Sequence, residues 1–497
     1  MKKILISALM ASASMCASAD NLVILHTNDT HSQIDPADNG LGGVHRRKVL
    51  IDSVRTAHPQ HTLLVDAGDI VQGSLFFNIY RGEVEEKLMN ELGYDIRILG
   101  NHEFDNGMTV LAENLVTSDA ELLAANYQTI GTPLEGLFIP YTIRTIDGHR
   151  IAFIPVNLQP EGMISPRNTE GLGYIDDIKA ANNMAWYAKN IEQADIVVAV
   201  THIGYTQDVK LARSSSDIDI IIGGHSHTRI DPADPSTEPH LIKNRKGRDV
   251  LVAQTGRGGE RIGEIVIDLD NPGAIPSYRL ITVDRRLDSR LDPAVEAIVA
   301  PYRAEVDALN SKIVGHTAKA LDRTSPEMLN FAADFVAQRA RELTDNVDFA
   351  ILNKGGIRNS LPKGDISEGQ VTSLMPFFNR IQVLDIKGDK LMETFDVMAR
   401  AGGNGVSSEM EILFDPATNK CTDATLNGVR IDPAKTYRIA TIDYLAQGGD
   451  YMQPLTAGTL VAESPAYLFE DMIVYLRDGK GKGKAINPPS TRRMRPM

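Results

Sequence analysis

Cysteine is almost missing from this chain. Of its 497 residues only Cys16 and Cys421 are cysteines, and the first falls in a stretch that reads as a removable leader. A mature protein with one thiol has no intrachain disulfide, and it cannot build a structural zinc cluster of several thiolates. Excess positive charge is missing too: 51 basic residues stand against 65 acidic ones, a formal charge of -14. Such a surface repels a polyphosphate backbone at long range, so nucleic acid is not an expected partner. Any phosphorylated substrate must be met by metal ions or by locally placed arginines. Beyond the first 19 residues no apolar run approaches the roughly 18 residues of a spanning helix. The sequence also lacks internal repeats and extended low-complexity tracts. What remains is a globular composition, at a length that suggests two to four domains.

The leader is Met1-Lys2-Lys3, the apolar run from Ile4 to Met10, and small residues ending in Ala17-Ser18-Ala19. That is the three-part layout of a secretory signal, so residues 1–19 are expected to be removed and the product to be periplasmic or extracellular. Lipid attachment at Cys16 ranks second, because Met15 before it is bulky. Residues 20–290 alternate short apolar runs with helical patterns, the rhythm of an α/β domain with covered sheets. Residues 291–313 read as a linker helix, with Asp292 as N-cap, Pro293 at the first position and a kink at Pro301. Residues 314–497 have the mixed pattern of an α+β unit, and the Gly/Pro-rich tail reads as solvated or loosely attached.

Chemistry gathers where the apolar runs end. In Ile98-Leu-Gly-Asn-His-Glu-Phe-Asp105 a buried strand stops at Gly100, and Asn101, His102 and Asp105 follow in the turn, the place where open α/β sheets bind ligands. Asp29 and His31 lie two apart after Leu22–His26, a spacing that in extended chain points both side chains the same way. Asp69, behind the flexible Gly68, is the choice for a carboxylate bridging two metal ions, with Asp66 supporting the turn; the reverse assignment is the alternative. His202 closes another apolar run, and His225 and His227 follow Gly223-Gly224. A lone histidine is more often a hydrogen-bonded structural residue than a ligand. Five strand ends that each close on Asp, Asn or His, without sulfur, favour an open hydrolytic site for two divalent ions, with Zn, Mn or Co first and Fe also possible.

The ordered set DTH, GD, GNHEFD, THIG and GGHSH resembles the calcineurin-like metallophosphoesterases, and within them the 5'-nucleotidase and UDP-sugar hydrolase family of exported enzymes. The resemblance implies an N-terminal α/β/β/α sandwich, a linker helix and a C-terminal α+β nucleotide-binding domain. It implies that Asp29, His31, Asp69 and His227 hold one metal, and Asp69, Asn101, His202 and His225 the other. Some relatives carry glutamine at the position of His227, which bears on metal preference. Two such cations lower the pKa of a shared water and clamp phosphoryl oxygens for in-line displacement. His102 is expected outside the metal shell, as an imidazolium that stabilises charge on the phosphoryl or leaving oxygen, with Asp105 orienting it and raising its pKa.

Asn353-Lys-Gly-Gly-Ile-Arg358, Met375-Pro-Phe377, Asp443-Tyr444-Leu445 and Gln447-Gly-Gly-Asp450 are similar to the second domain of the same family. That similarity implies that a base stacks between Phe377 and Tyr444, where tyrosine replaces the more usual phenylalanine. It gives Asp450 the ribose hydroxyls, Asn353 the base, and Arg358 the phosphate or ribose side, with Arg323 joining it. It also implies rotation of the second domain about the linker helix. The expected function is nucleotide phosphohydrolysis, foremost 5'-nucleotidase action releasing nucleoside and phosphate. UDP-sugar or dinucleotide pyrophosphate hydrolysis and 2',3'-cyclic phosphodiesterase action are the close alternatives. A noncatalytic nucleoside-binding surface protein and a thiosulfohydrolase are the readings from other classes.

Overall fold

The structure is a computed structural model that describes residues 21–288 and 291–497; the expected signal at 1–19 lies outside the described residues. Two six-stranded mixed sheets dominate the N-terminal half. One runs in the order 277–282, 261–268, 21–27, 62–66, 96–97, 121–122, and the other 241–243, 249–253, 220–222, 196–202, 149–157, 142–146. The strand Asn21–Thr27 pairs in parallel with Thr62–Asp66 and antiparallel with Arg261–Asp268.

Strand periodicity explains why the sheets stack. Leu22 and Ile24 point into the core between the sheets, together with Phe153, Val198 and Ile220 from the other sheet. Val23 and Leu25 point the other way, onto the helices Val44–Ala57 and Glu83–Leu92. Ala152, Ile154, Val197 and Ala199 likewise face the helices Gly107–Leu115 and Asp177–Asn190. Both faces of these central strands are buried, and the result is four layers, α/β/β/α. Burial of each such Val, Leu or Ile stabilises by about 1.5–3 kcal/mol.

The helix Pro293–Ser311 has the expected start: the Asp292 carboxylate accepts from the amides of Ala294 and Val295 at 2.9 and 3.1 Å. Val295, Val299 and Val306 bury one face of it against the first half, and it also packs on the helix Glu368–Leu374 of the second. The C-terminal half is built on a five-stranded sheet, 405–406, 349–352, 436–442, 381–387, 459–463. The helices Pro326–Leu343 and Gly388–Arg400 pack on it.

One expectation fails here. The tail is not loosely attached: Met494–Pro496 pairs with Met410–Asp415, and Ala485–Ile486 pairs with Ile313–Thr317. The Arg493 guanidinium meets the Asp334 carboxylate at 2.7 Å. Composition announced a solvated segment, but open strand edges and a buried Asn330, which donates to the carbonyls of Pro489 and Thr491 at 2.9 Å each, give the tail partners far away in sequence.

Candidate active site

The parallel strands of both sheets run the same way, so their carboxyl ends open onto one crevice. Asn28 to His31 follow Thr27, Asp69 follows Asp66, and His225 and His227 follow Ile222, while His202 is the last residue of Ile196–His202. Local backbone, not strand alternation, then turns the side chains inward. Asp29, His31, Asp69, His225 and His227 all have positive φ, at 51°, 48°, 59°, 77° and 54°. The extended geometry expected for Asp29 and His31 is therefore replaced by a left-handed turn. Five such residues cost about 1–3 kcal/mol each and persist because the surroundings hold them.

Two glycines show how tightly the loops are drawn together. A Cβ on Gly68 would overlap the Gly100 nitrogen, and one on Gly100 would overlap Asp69 Oδ1. Glu103 fastens the same two loops, its buried carboxylate accepting from the amides of Gly100, Ile70 and Asp69 at 2.6, 2.8 and 3.2 Å. Burial, with Asp69 adding to it, pushes the Glu103 carboxyl up to about 7. In the sequence Glu103 is one acid inside GNHEFD, and its place among turn amides is the signal there for this stapling role.

The donors fall into two clusters, Asp29, His31, His227 and Asp69, His202, His225, each with its donor atoms within 4.8 Å of one another. His31 Nε2 and His227 Nε2 converge to 2.8 Å, and His202 Nε2 stands 3.2 Å from Asp69 Oδ2, buried and without a hydrogen-bond partner. The other ring nitrogens face carbonyls, His202 Nδ1 on Ala67 at 2.6 Å and His31 Nδ1 on Val71 at 3.2 Å. A carbonyl only accepts, so each Nδ1 carries the proton and each Nε2 presents its lone pair. Burial pushes His31 well below the ordinary imidazole range, and burial with His202 nearby takes His225 down to about 4. Burial works against charge on His202 and the Asp69 carboxylate works for it, raising it to about 10; the second proton sits on Nε2, and a cation held there would replace it. Asn101 Oδ1, 2.9 Å from His225 Nδ1, borders the second cluster. Converging nitrogen lone pairs and carboxylates, with no sulfur, fit two borderline divalent cations.

His102 stands just outside. Its Nδ1 donates to Asp105 Oδ2 at 2.9 Å and its backbone amide to Asp69 Oδ1 at 2.8 Å. Burial lowers its pKa, but Asp105 and Asp69 outweigh burial and hold it above the ordinary value. A cavity of about 250 Å³ opens in front of it, lined also by Asp69, Asn101, His225 and His227. Asn353, Arg358, Phe377, Tyr444 and Asp450 line the same cavity from the C-terminal half. Phe377 stacks on the His102 ring at 5.8 Å, and Asn353 Nδ2 donates to Asp450 Oδ2 at 2.7 Å. The Tyr444 hydroxyl lies 2.9 Å from Asp450 Oδ1. Arg358 Nε and Nη2 are buried without a partner, an anion site in waiting, and burial pushes this guanidinium down to about 10. Arg323 is the exception among the expected substrate-binding residues, for it does not line the cavity and its amide donates to Ser360 Oγ at 3.0 Å.

Comparison with known proteins fits this geometry. Residues 22–229 match the calcineurin-like phosphoesterases, and residues 308–457 match the 5'-nucleotidase C-terminal domain. The crystal structure of a 5'-nucleotidase precursor from Thermus thermophilus superposes with a TM-score of 0.85 at 28% identity, covering 96% of this chain and 99% of that one.

The chain belongs to the 5'-nucleotidase family of metallophosphoesterases.

The snake venom 5'-nucleotidase of Crotalus adamanteus is 28% identical, over 88% of this chain and 83% of that protein. The trifunctional nucleotide phosphoesterase protein YfkN of Bacillus subtilis is 28% identical over 94% of this chain, which spans only 34% of it. As a member of this family the chain is a metal-dependent phosphoric ester hydrolase. One wall was announced by no motif: a loop of the first half brings Met163, Ile164 and Ser165 to the cavity.

Proposed function

We propose that this chain is an exported nucleotide phosphohydrolase that cleaves nucleoside 5'-monophosphates to nucleoside and inorganic phosphate. The observation that carries the reading is that one cavity joins the donor clusters and the His102–Asp105 pair to Phe377, Tyr444 and Asp450. Asp29, His31, Asp69 and His227 would hold one divalent ion, and Asp69, Asn101, His202 and His225 the other, with Zn, Mn or Co suited to such donors. Bound there, the two ions supply a nucleophilic water at neutral pH and neutralise phosphoryl charge.

The chain's own residues do the rest. His102, kept protonated by Asp105, donates to the oxygen on which charge develops, and Arg358 offers its two free donors to the phosphoryl group. Phe377 and Tyr444 hold the base between them, Asn353 contacts its edge, and Asp450 accepts from the ribose hydroxyls. Arg323 acts as a second cation behind Arg358. The division into a catalytic part at 20–290, a linker helix at 291–313 and a substrate part at 314–497 lets the base pocket swing to and from the donors. Export rests on the leader pattern of residues 1–19 and is supported by the precursor status of the Thermus protein. The name of the Bacillus relative favours a second reading, in which the same pocket also takes nucleotide diphosphate derivatives or cyclic phosphates.

Phosphate release from AMP, UDP-glucose and a 2',3'-cyclic nucleotide, with and without chelator, tests both. The expected result is fastest release from AMP, lost on chelation and restored by Mn or Co. Turnover that survives full removal of metal overturns the reading.

A further inference from the structure

The loop from Gln159 to Asn168, which follows the strand His149–Asn157, does more than border the cavity. It reaches across to the segment of the C-terminal half that carries Tyr444. Arg167 Nη1 meets Asp443 Oδ2 at 3.1 Å, the Tyr444 hydroxyl lies 3.3 Å from the Met163 carbonyl, and Ser165 Oγ donates to Gln447 Oε1 at 3.4 Å. A Cβ on Gly162 would stand 2.8 Å from the Tyr451 ring, so the two segments touch closely. At its far end the loop is tied to the catalytic pair, Asn168 Nδ2 donating to the Asp105 carbonyl at 3.0 Å.

The ion pair is lopsided in a telling way. The Asp443 side chain is 2% exposed while that of Arg167 is 51% exposed. Oδ1 of Asp443 already accepts from the amides of Arg380 and Tyr444 at 3.1 and 2.9 Å. Oδ2 is left for Arg167, which is its cation partner among the described residues. A buried carboxylate of one half that finds its cation on a solvent-facing loop of the other half keeps that cation only while the halves are together.

We propose that Arg167 is a positioning residue for nucleotide turnover: through Asp443 it draws the 159–168 loop against the Tyr444 segment and completes the wall around the base, a closure that a phosphoester without a base does not use. The inference rests on the nucleotidase reading above and adds to it the residue that registers closure.

The test compares AMP with ethyl phosphate, which shares the alkyl leaving oxygen and lacks a base. Arg167→Ala should lower kcat/KM for AMP about fivefold to tenfold, the scale of one partly exposed ion pair, and leave ethyl phosphate within about twofold. Arg167→Lys should recover part of the loss. Asp443→Asn keeps an oxygen for the two amides, removes the charge, and should match Arg167→Ala, with the double variant no worse than either single one. Loss of equal size on both substrates, no loss on AMP, or multiplicative loss in the double variant overturns the proposal. Small-angle scattering of the full chain reads the clasp without turnover: the wild type should be more compact than Arg167→Ala, and identical profiles overturn it. A wild type that cleaves no nucleotide would instead overturn the nucleotidase reading, and the scattering comparison would still decide the clasp.

Discussion

Asp105→Asn is the sharpest probe of the catalytic pair, because it removes one charge and almost no volume. Asp105 Oδ2 accepts from His102 Nδ1 at 2.9 Å, with the two side chains 19% and 13% exposed. The loop contact to residue 105 uses the backbone carbonyl, so an amide side chain leaves it in place. A charge-assisted hydrogen bond contributes about 1.5–3 kcal/mol net, and a deficit of that size at the transition state slows the reaction about 10- to 150-fold. The assay is phosphate release from AMP at saturating substrate, on protein whose metal content equals the wild type's by elemental analysis. His102→Ala should lose more, about 100- to 10,000-fold, the range of acid–base assistance. An Asp105→Asn variant with wild-type metal content and undiminished kcat would show that His102 needs no carboxylate partner and would remove the pair from the mechanism.

Two further predictions concern stability and substrate binding. His26 is fully buried on Asn21–Thr27, its ring stacked on Tyr278 at 5.8 Å with neither nitrogen bonded, and burial lowers its pKa to about 3. The unfolded chain takes up a proton near pH 6.5 and the folded one does not until about pH 3, so stability is full above the first value and drains as pH falls toward the second, by roughly 3–6 kcal/mol in all. His26→Phe should flatten this acid dependence in denaturant titrations, and an unchanged slope between pH 6.5 and 4 would count against it. Asp450→Asn should raise KM for AMP about tenfold, the loss of one charge-assisted contact to the ribose, with ethyl phosphate hydrolysis unaffected; an unaltered KM for AMP would take Asp450 out of ribose recognition.

Much of the site was legible because its chemistry sits at the ends of apolar runs. Asp29, Asp69, Asn101, His202, His225 and His227 stood out only as a set, from five strand ends that each close on Asp, Asn or His, because any one of them alone reads more readily as a structural residue. The helix at Pro293 could be placed from its cap. The strands Arg261–Asp268 and Ser277–Thr282 escaped notice, because an antiparallel strand joining a sheet edge far back in sequence leaves no local signal. The tail misled for a related reason: composition reports solvation, whereas Met494–Pro496 is held by the edge of a sheet formed elsewhere.

Sequence alone determined which atoms are available, since the identity and order of carboxylates, imidazoles and amides set what chemistry the chain can attempt. Folding decided which of them meet. The left-handed turns at five donors, the backbone contact of Gly68 with Gly100, the stapling by Glu103 and the pairing of Arg167 with Asp443 all depend on distances between segments far apart in the chain. Such distances are fixed only when two sheets and two halves pack together, because the favourable burial that fixes them is a property of the whole core and not of any window of residues.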